Sequence, residues 1–273
     1  MPPARDMTTD GRGSRAHRVG ILGHGAIGST VARLLEEGAV PGCRLAGVFT
    51  RSGSAPRRLD TVAALAAHSD IIVEAAGHAA LEEHGPEIVG SGTDLLVVSA
   101  GALIDDALYE ALRPRTGGRL LVSTGAIGGL DLLRAARLLG PLEEVLLEST
   151  KTPAVLRQPW MEEKTLRALD GARGPVDAFQ GSAREAAARF PESANVAAAL
   201  ALATVGLDAT RVVIVADPDV NGPRHVVRAS GAAGSYEVTV SNRPSEQNPR
   251  TSAITAYAVA RALGDRGGHV VGV

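Results

Sequence analysis

The chain has 273 residues, of which 45% are hydrophobic, 3% are aromatic and 21% are charged, and its formal net charge is -2. This length is sufficient for one large globular domain or two smaller ones with real hydrophobic cores. The weak net charge and the scarce aromatic side chains argue against nucleic-acid binding, which needs clustered cations or stacking surfaces. No apolar run approaches the roughly 20 residues that cross a bilayer, so we expect a small-molecule ligand and neither a membrane nor a nucleic-acid partner.

The N-terminal residues 1–17 are polar and lack the apolar centre of a signal peptide, which predicts a disordered tail. The single cysteine, Cys43, cannot form an internal disulfide, and its place where a strand begins favours a buried thiol over a nucleophile. One cysteine suits a reducing compartment, so we expect a cytoplasmic protein.

The first predicted strand, residues 19–22, breaks into the sequence GHGAIG and passes directly into a helical pattern. In a strand–turn–helix unit that binds a dinucleotide, Gly23 suits the tight turn and Gly25 leaves room for a pyrophosphate. Gly28 then lets the helix pack close to the strand. The helix N-terminus, with Ala26 and Ile27 in its first turn, offers N–H groups and a positive dipole end to phosphates. The alternative is a glycine-rich turn in an α/β protein that binds no nucleotide.

Strands and helices then alternate over about a hundred residues, which predicts a doubly wound parallel sheet of the Rossmann type. Ligands of such sheets bind at the carboxyl ends of the strands, where Ala75 is the last residue of the third strand. The further predicted strands are residues 44–50, 70–75, 94–99 and 118–123, and the predicted helices are residues 60–68, 79–89 and 105–112.

Beyond residue 130 the pattern changes to that of a smaller α+β domain with a mainly antiparallel sheet. Helices are predicted at 131–139, 183–189, 194–205 and 251–263, strands at 144–150, 211–216, 225–229 and 236–241, and an irregular piece near Pro153 and Pro159. We therefore expect a nucleotide-binding domain over 18–127, a substrate domain over 128–244, and a C-terminal segment, 245–273, that returns to the first domain.

The second strand is followed directly by Arg51 and Ser52, without the acidic residue that binds the ribose hydroxyls of NAD in this fold. A guanidinium offers a planar fork of donors to phosphate oxygens, so Arg51 and Ser52 are candidates for the 2′-phosphate of NADP. We expect NADP or tolerance of both nucleotides. The alternative is a solvated arginine on a surface loop.

Several longer strings give a family resemblance. They are GHGAIG at 23–28, EAA at 74–76, VSAGAL at 98–103, STGAIGGLD at 123–131, KTPAVL at 151–156, FPESANVAAALALA at 190–203, ADP at 216–218 before His225, and NPRTS at 248–252. Over most of residues 18–260 the chain resembles the L-aspartate dehydrogenase family.

The resemblance implies a nucleotide-binding domain joined to a smaller substrate domain, in a homodimer. It implies NAD(P)-dependent oxidation of L-aspartate through iminoaspartate to oxaloacetate and ammonia, in a reversible reaction linked to NAD biosynthesis. It further implies that Ala126 and Asn195 contact the nicotinamide nucleotide and that His225 is the active-site acid/base.

The residue types fit these roles. A histidine exchanges protons near neutral pH, as deprotonation of an amine and attack of water on an imine require. The two carboxylates of aspartate need cationic partners, for which Lys151 is the first candidate, ahead of Arg224, Arg228 and Arg243. Each candidate has an ordinary alternative: first-turn capping for Asn195, and a solvated or packed side chain for the others. We predict no metal site.

Two other functions stay open at this point. One is a related NADPH-dependent imine or amino-acid reductase with a different substrate, resembling dihydrodipicolinate reductase or homoserine dehydrogenase. The other is a non-catalytic nucleotide sensor, which would bind NAD(P)H without consuming it in the presence of any amino or keto acid.

Overall fold

The structure is a computed structural model that describes residues 16–114, 116–191 and 195–267. The chain divides into two compact units. Within the described residues, the first unit comprises 16–97, Ala111–Leu121 and 259–267, and the second comprises Val98–Glu110 and Val122–Ala258. Neither unit is therefore one continuous segment of the chain.

The first unit contains the predicted Rossmann-type sheet. Its strands are β1 (His17–Leu22), β2 (Cys43–Phe49), β3 (Ile71–Glu74), β4 (Asp94–Val97) and β5 (Leu120–Val122), in the order β2-β1-β3-β4-β5. β1 pairs in parallel with both β2 and β3, and β3 pairs in parallel with β4. This arrangement confirms the α/β fold class expected from the sequence.

Buried apolar strands explain why this sheet forms. All four residues of β3 and the last four of β1 are buried, as expected of strands covered on both faces. Three helices accompany the sheet: α1 (Ala26–Glu36), α2 (Val62–His68) and α3 (His78–Gly90). Thr61 starts α2 with a side-chain cap, because its Oγ1 accepts from the N–H of Ala64 at 3.0 Å.

Between β4 and β5 lie a short 3-10 helix (Ala100–Ile104) and α4 (Asp106–Ala111). The helices of the later chain are α5 (Leu130–Leu139), α6 (Pro153–Leu156), α7 (Glu163–Asp170), α8 (Ala183–Arg189), α9 (Asn195–Ala203) and α10 (Ile254–Gly267). The strands are β6 (Leu142–Lys151), β7 (Val176–Ser182), β8 (Arg211–Ala216), β9 (Arg224–Gly231) and β10 (Gly234–Ser241).

The second sheet has the order β10-β9-β6-β8-β7 and is mainly antiparallel. β8 and β9 are joined by a short connection but do not pair with each other. β6 lies between β8 and β9, pairing in parallel with β8 and antiparallel with β9. The short connection between β8 and β9 therefore crosses β6, and its length alone does not predict that a strand lies between the two.

Between residues 153 and 182 the structure has three elements that were not predicted from the sequence, α6, α7 and β7, where an irregular segment was expected near Pro153 and Pro159. In β7 only Phe179 is buried, so the strand lacks the apolar alternation that identifies half-buried strands. It lies at the edge of the sheet, where a strand needs less apolar burial.

The core of the second unit is built around α9, whose residues Val196 to Ala201 are all buried. A helix that is apolar on every side belongs in a core, and the small alanine side chains allow close packing against the 3-10 helix and α8. Leu147 and Phe190, both fully buried, fill the centre of the same cluster.

The chain ends bear on two further expectations. β1 begins at His17, the last residue of the predicted tail, and residues 1–15 lie outside the described residues, as do residues 268–273. Cys43 is buried, its Sγ lies 3.4 Å from the carbonyl oxygen of Leu263, and burial raises the pKa of the thiol to about 11. In the part of the chain that the structure describes, no helix has the length and apolar character to span a membrane.

Candidate functional site

Each of the three glycines in the β1–α1 turn is needed for a different structural reason. Gly23 has φ +97°, and a Cβ there would lie 2.7 Å from the carbonyl oxygen of Ala75. A Cβ on Gly28 would lie 2.1 Å from the carbonyl oxygen of Gly23, so only glycine allows this approach of helix and strand. A Cβ on Gly25 would meet no atom within 4 Å. Gly25 therefore keeps open a space that the protein itself does not fill.

That space belongs to a cavity of about 370 Å³ at the carboxyl ends of β1, β2 and β3. The cavity is lined by Leu22, Gly23, His24, Gly25, Phe49, Thr50, Arg51, Ser52, Ala75, Ala76, Ala80 and His84. It thus brings together Gly23, Gly25, Arg51, Ser52 and Ala75 of the predicted cofactor site. Ala26, Ile27 and Gly28 lie in the first turn of α1, whose N-terminal cap is Gly25.

The polar character of the cavity suits a phosphorylated ligand. Among the described residues that line it, none is Asp or Glu, whereas Arg51 and Ser52 are exposed at its rim. The shape of the β3 end is fixed by Glu74, whose buried carboxylate accepts from the backbone N–H groups of Ala76 and Gly77 at 2.8 and 2.9 Å. A dinucleotide pyrophosphate fits this turn, because the open backbone at Gly25 and the start of α1 favour an anion.

In the second unit, three polar side chains lie on one face of the second sheet, among apolar neighbours. Ser149 and Lys151 are two residues apart on β6 and therefore point to the same face of the sheet. His225 lies directly opposite Ser149 on β9. The exposed fractions are 4% for Ser149, 6% for Lys151 and 2% for His225. The Ser149 Oγ lies 2.9 Å from the His225 Nδ1, so a hydrogen bond sets the orientation of the imidazole.

Burial determines the charge states in this cluster. It lowers the pKa of Lys151 to about 8, because an ammonium loses its hydration there. Burial, together with the positive charge of Lys151, lowers the pKa of His225 to about 3. The imidazole is therefore neutral near pH 7, and Lys151 is the member of the cluster whose charge changes close to physiological pH.

Lys151 also borders two cavities of the second unit. One is a closed space of about 10 Å³, lined by Ser149 and by apolar residues that include Leu156 and Val196. The other is a pocket of about 290 Å³, whose lining residues are Lys151, Thr152, Val155, Val220, Asn221, Gly222, Pro223, Pro244, Pro249 and Arg250. Two cationic residues, Lys151 and Arg250, border this pocket.

Asn195 and Ala126 occupy defined places in the second unit. Asn195 begins α9, and its Oδ1 accepts from the N–H of Gly101 at 2.8 Å, which ties the helix start to the 3-10 helix. The carbonyl oxygen of Ala126 accepts from Asn242 Nδ2 at 2.9 Å. Gly125 and Gly129, on either side, have φ values of +63° and +79° that favour glycine.

Comparison with known proteins decides the family. Residues 131–266 match the model of the aspartate dehydrogenase C-terminal domain, and residues 23–117 match that of the homoserine dehydrogenase NAD-binding domain. The L-aspartate dehydrogenase of Ralstonia pickettii is 41% identical over 268 residues, covering 93% of this chain and 99% of that protein. The enzyme of the same name from Pseudomonas aeruginosa is 41% identical over 267 residues, covering 93% and 98%. The chain belongs to the L-aspartate dehydrogenase family.

Solved structures agree with membership of this family. The crystal structure of aspartate dehydrogenase from Thermotoga maritima superposes with a TM-score of 0.73 at 26% identity, covering 94% of this chain and 99% of that chain. A hyperthermophilic archaeal homoserine dehydrogenase in complex with NADPH has a TM-score of 0.52 at 12% identity, covering 89% and 96%, and supports the fold alone. The resemblance inferred from the sequence motifs is confirmed, and the family match supports a nicotinamide cofactor.

Sequence reasoning missed several residues of the two sites. Ser149 was not singled out, although it lies between Leu147 and Lys151 at every second residue of β6, a spacing that places the three on one face of the strand. Phe49 and His84, whose rings meet edge to face at 5.7 Å beside the dinucleotide cavity, were also missed.

The weaker cationic candidates Arg224 and Arg228 form ion pairs with Glu148 instead of bordering the 290 Å³ pocket. Within the described residues no group of His, Cys, Asp or Glu could hold a metal ion.

Proposed function

We propose that this chain is an NAD(P)-dependent L-aspartate dehydrogenase. The reaction converts L-aspartate, oxidised nicotinamide dinucleotide and water into oxaloacetate, ammonium, reduced dinucleotide and a proton, and it is reversible. The observation that carries the proposal is the buried Ser149–His225 pair beside Lys151, in a family whose named members are L-aspartate dehydrogenases. The reaction needs a nucleotide site and a proton-transfer site, and the chain has a candidate for each.

The nucleotide would be held by the β1–α1 turn. Gly23, Gly25 and Gly28 shape that turn, Ala26 and Ile27 present the helix start, and Ala75 borders the cavity from β3. When bound, the nicotinamide accepts a hydride from the substrate Cα. Arg51 and Ser52 favour NADP over NAD, because they offer donors to a 2′-phosphate where a carboxylate would repel it.

In the second unit, His225 acts as the acid/base toward water. Its neutral imidazole is held by Ser149 and accepts a proton from the water that attacks the imine carbon. Lys151 attracts a carboxylate of aspartate through its positive charge. Asn195 and Ala126 contact the nicotinamide nucleotide, a role supported by their match to the family motifs.

We also propose a homodimeric, cytoplasmic protein. The family resemblance supports the dimer, and the single buried thiol of Cys43 supports a reducing compartment. Size-exclusion chromatography with light scattering tests the oligomeric state, and a mass near twice the 28.0 kDa of one chain is the expected result.

The decisive experiment follows reduced-nicotinamide absorbance when the protein meets L-aspartate with NAD+ or NADP+, and oxaloacetate plus ammonia with the reduced nucleotides. We expect turnover in both directions. Replacing His225 with Ala should abolish most of this turnover while dinucleotide affinity, measured by calorimetry, stays near wild type. His68→Ala, at an exposed position on α2, is the matched control. Lack of turnover with aspartate under all four conditions contradicts the proposal.

A further inference from the structure

Lys151 differs from the other lysine of the chain in both burial and position. The sequence contains two lysines, Lys151 and Lys164. Lys164 is exposed on α7, whereas Lys151 is 6% exposed at the carboxyl end of β6. Burying an ammonium group is costly, and such a lysine exchanges its proton more readily than one in water.

The geometry places this amine between a histidine and an open pocket. Lys151 is two residues beyond Ser149 on the same face of β6, and Ser149 binds His225. The positive charge of Lys151 contributes to lowering the pKa of His225. Lys151 also borders the 290 Å³ pocket.

The chemistry needs a base that the imidazole alone does not provide. An α-ammonium must lose a proton before its carbon can give up a hydride, and the best general base has a pKa near the working pH. His225 is neutral but a weak base, because its pKa is about 3. The pKa of Lys151, about 8, is much closer to the physiological range.

We propose that Lys151 is a second catalytic residue, whose Nζ takes the proton from the substrate ammonium in the 290 Å³ pocket and later returns it to the departing nitrogen. This inference rests on the proposed function and gives Lys151 a role beyond that of a fixed positive charge.

Two groups, Lys151 and His225, carry all the protons that the side chains take up during the reaction. Neutral Lys151 takes one proton from the Cα ammonium, and the freed lone pair forms the C=N bond as Cα loses its hydride to the oxidised nicotinamide. Water adds to the carbon of this cationic C=N group, which makes the added water strongly acidic, so that it gives a proton even to the weakly basic His225. Lys151 then returns its proton to the nitrogen, and the C–N bond breaks as the hydroxyl loses its proton and becomes a carbonyl. Ammonia and two protons leave, and one of these protons converts ammonia to ammonium.

The groups around Lys151 define which titrations can interfere. His225 approaches from β9, and Arg250 lines the same pocket from the segment after β10. Asp217 follows β8 and donates its backbone N–H to the Lys151 carbonyl oxygen at 2.9 Å. The helices α6 and α9 present the apolar side chains Leu156 and Val196 to the adjoining closed space.

The first test separates proton transfer from charge. Lys151→Gln should lower kcat by about 100-fold or more, which is the range of a lost general base. Lys151→Arg keeps the positive charge but cannot release its proton, so KM for aspartate should stay within a few-fold of wild type while kcat falls as in Lys151→Gln. Lys164→Gln is the matched control. A Lys151→Arg variant with wild-type kcat overturns the inference.

The second test does not depend on activity. In protein labelled with ¹³C at the lysine ε-carbon, Lys164→Arg leaves one lysine signal, so its NMR titration reports Lys151 alone. We expect a midpoint near 8, against about 10.4 for an ordinary lysine. An ordinary midpoint overturns this inference while leaving aspartate turnover intact. By contrast, a wild-type protein without aspartate turnover overturns the proposed function.

Discussion

Ser149 and His225 face each other across the antiparallel pair of β6 and β9, with Oγ and Nδ1 2.9 Å apart. Ser149→Ala would leave the buried Nδ1 without this partner, which costs about 1–3 kcal/mol of stability. We expect kcat with aspartate to fall roughly 10-fold, because the imidazole loses its fixed orientation. Steady-state kinetics and urea unfolding measure the two effects, and Ser235→Ala, at an exposed position on β10, is the control. Unchanged kcat in Ser149→Ala would show that this bond does not position the base.

Gly28 and Gly25 should respond differently to the same substitution. In Gly28→Ala the new Cβ meets the backbone oxygen of Gly23 at 2.1 Å, so we expect a loss of about 1–3 kcal/mol in the free energy of unfolding. Gly25→Ala meets no protein atom, so it should fold normally but bind dinucleotide at least about 10-fold more weakly. Thermal unfolding and calorimetry distinguish the two, with Gly90→Ala as the control because its Cβ also has open space. Tight dinucleotide binding by Gly25→Ala would contradict this assignment.

Arg51→Ala should separate the two nucleotides. A charge-assisted hydrogen bond to phosphate contributes about 1.5–3 kcal/mol, so Kd for NADP+ should rise by roughly 10- to 100-fold. Kd for NAD+ should change little, because NAD+ lacks the 2′-phosphate. Arg44→Ala, on the exposed side of β2, serves as the control. An equal loss for both nucleotides would assign Arg51 to another part of the cofactor.

Asp94 joins two distant arginines of the first unit, Arg119 and Arg266. Burial raises the pKa of Asp94, but hydrogen bonds from Arg119 and the charges of Arg119 and Arg266 outweigh it and lower the pKa overall. Stability from this group is therefore present above its unfolded pKa, about 3.9, and is lost as pH falls through the lower folded value. We expect Asp94→Asn to cost about 1–3 kcal/mol in urea unfolding at pH 7. This difference from wild type should shrink below pH 4, and a constant difference would contradict it.

The first sheet was largely predictable because its signals are local. Apolar strands bounded by turn residues identify β1, β3 and β4, and the spacing of Gly23, Gly25 and Gly28 identifies the turn between strand and helix. The Glu74 carboxylate that binds the next turn was not predicted, since a buried acid hydrogen-bonded to backbone N–H groups looks like any other acid in a sequence.

The second unit was less predictable because its contacts are non-local. The parallel pairing of β6 with β8 joins residues more than sixty positions apart, and no local pattern encodes it. The Ser149–His225 hydrogen bond spans 76 positions, so His225 was predictable only through the family motifs, and nothing local indicated Ser149. Lys151 was selected as a cation, but its burial, which changes its chemistry, became visible only in the fold.

The central place of β6 in the second sheet affects how activity is lost. Strands β8 and β9 shield both edges of β6, so its amide protons exchange with solvent only when a large part of that unit opens. Ser149 and Lys151 are held by this strand. Local fraying should therefore leave the proposed acid/base residues in place, and inactivation by denaturant should coincide with cooperative melting of the second unit.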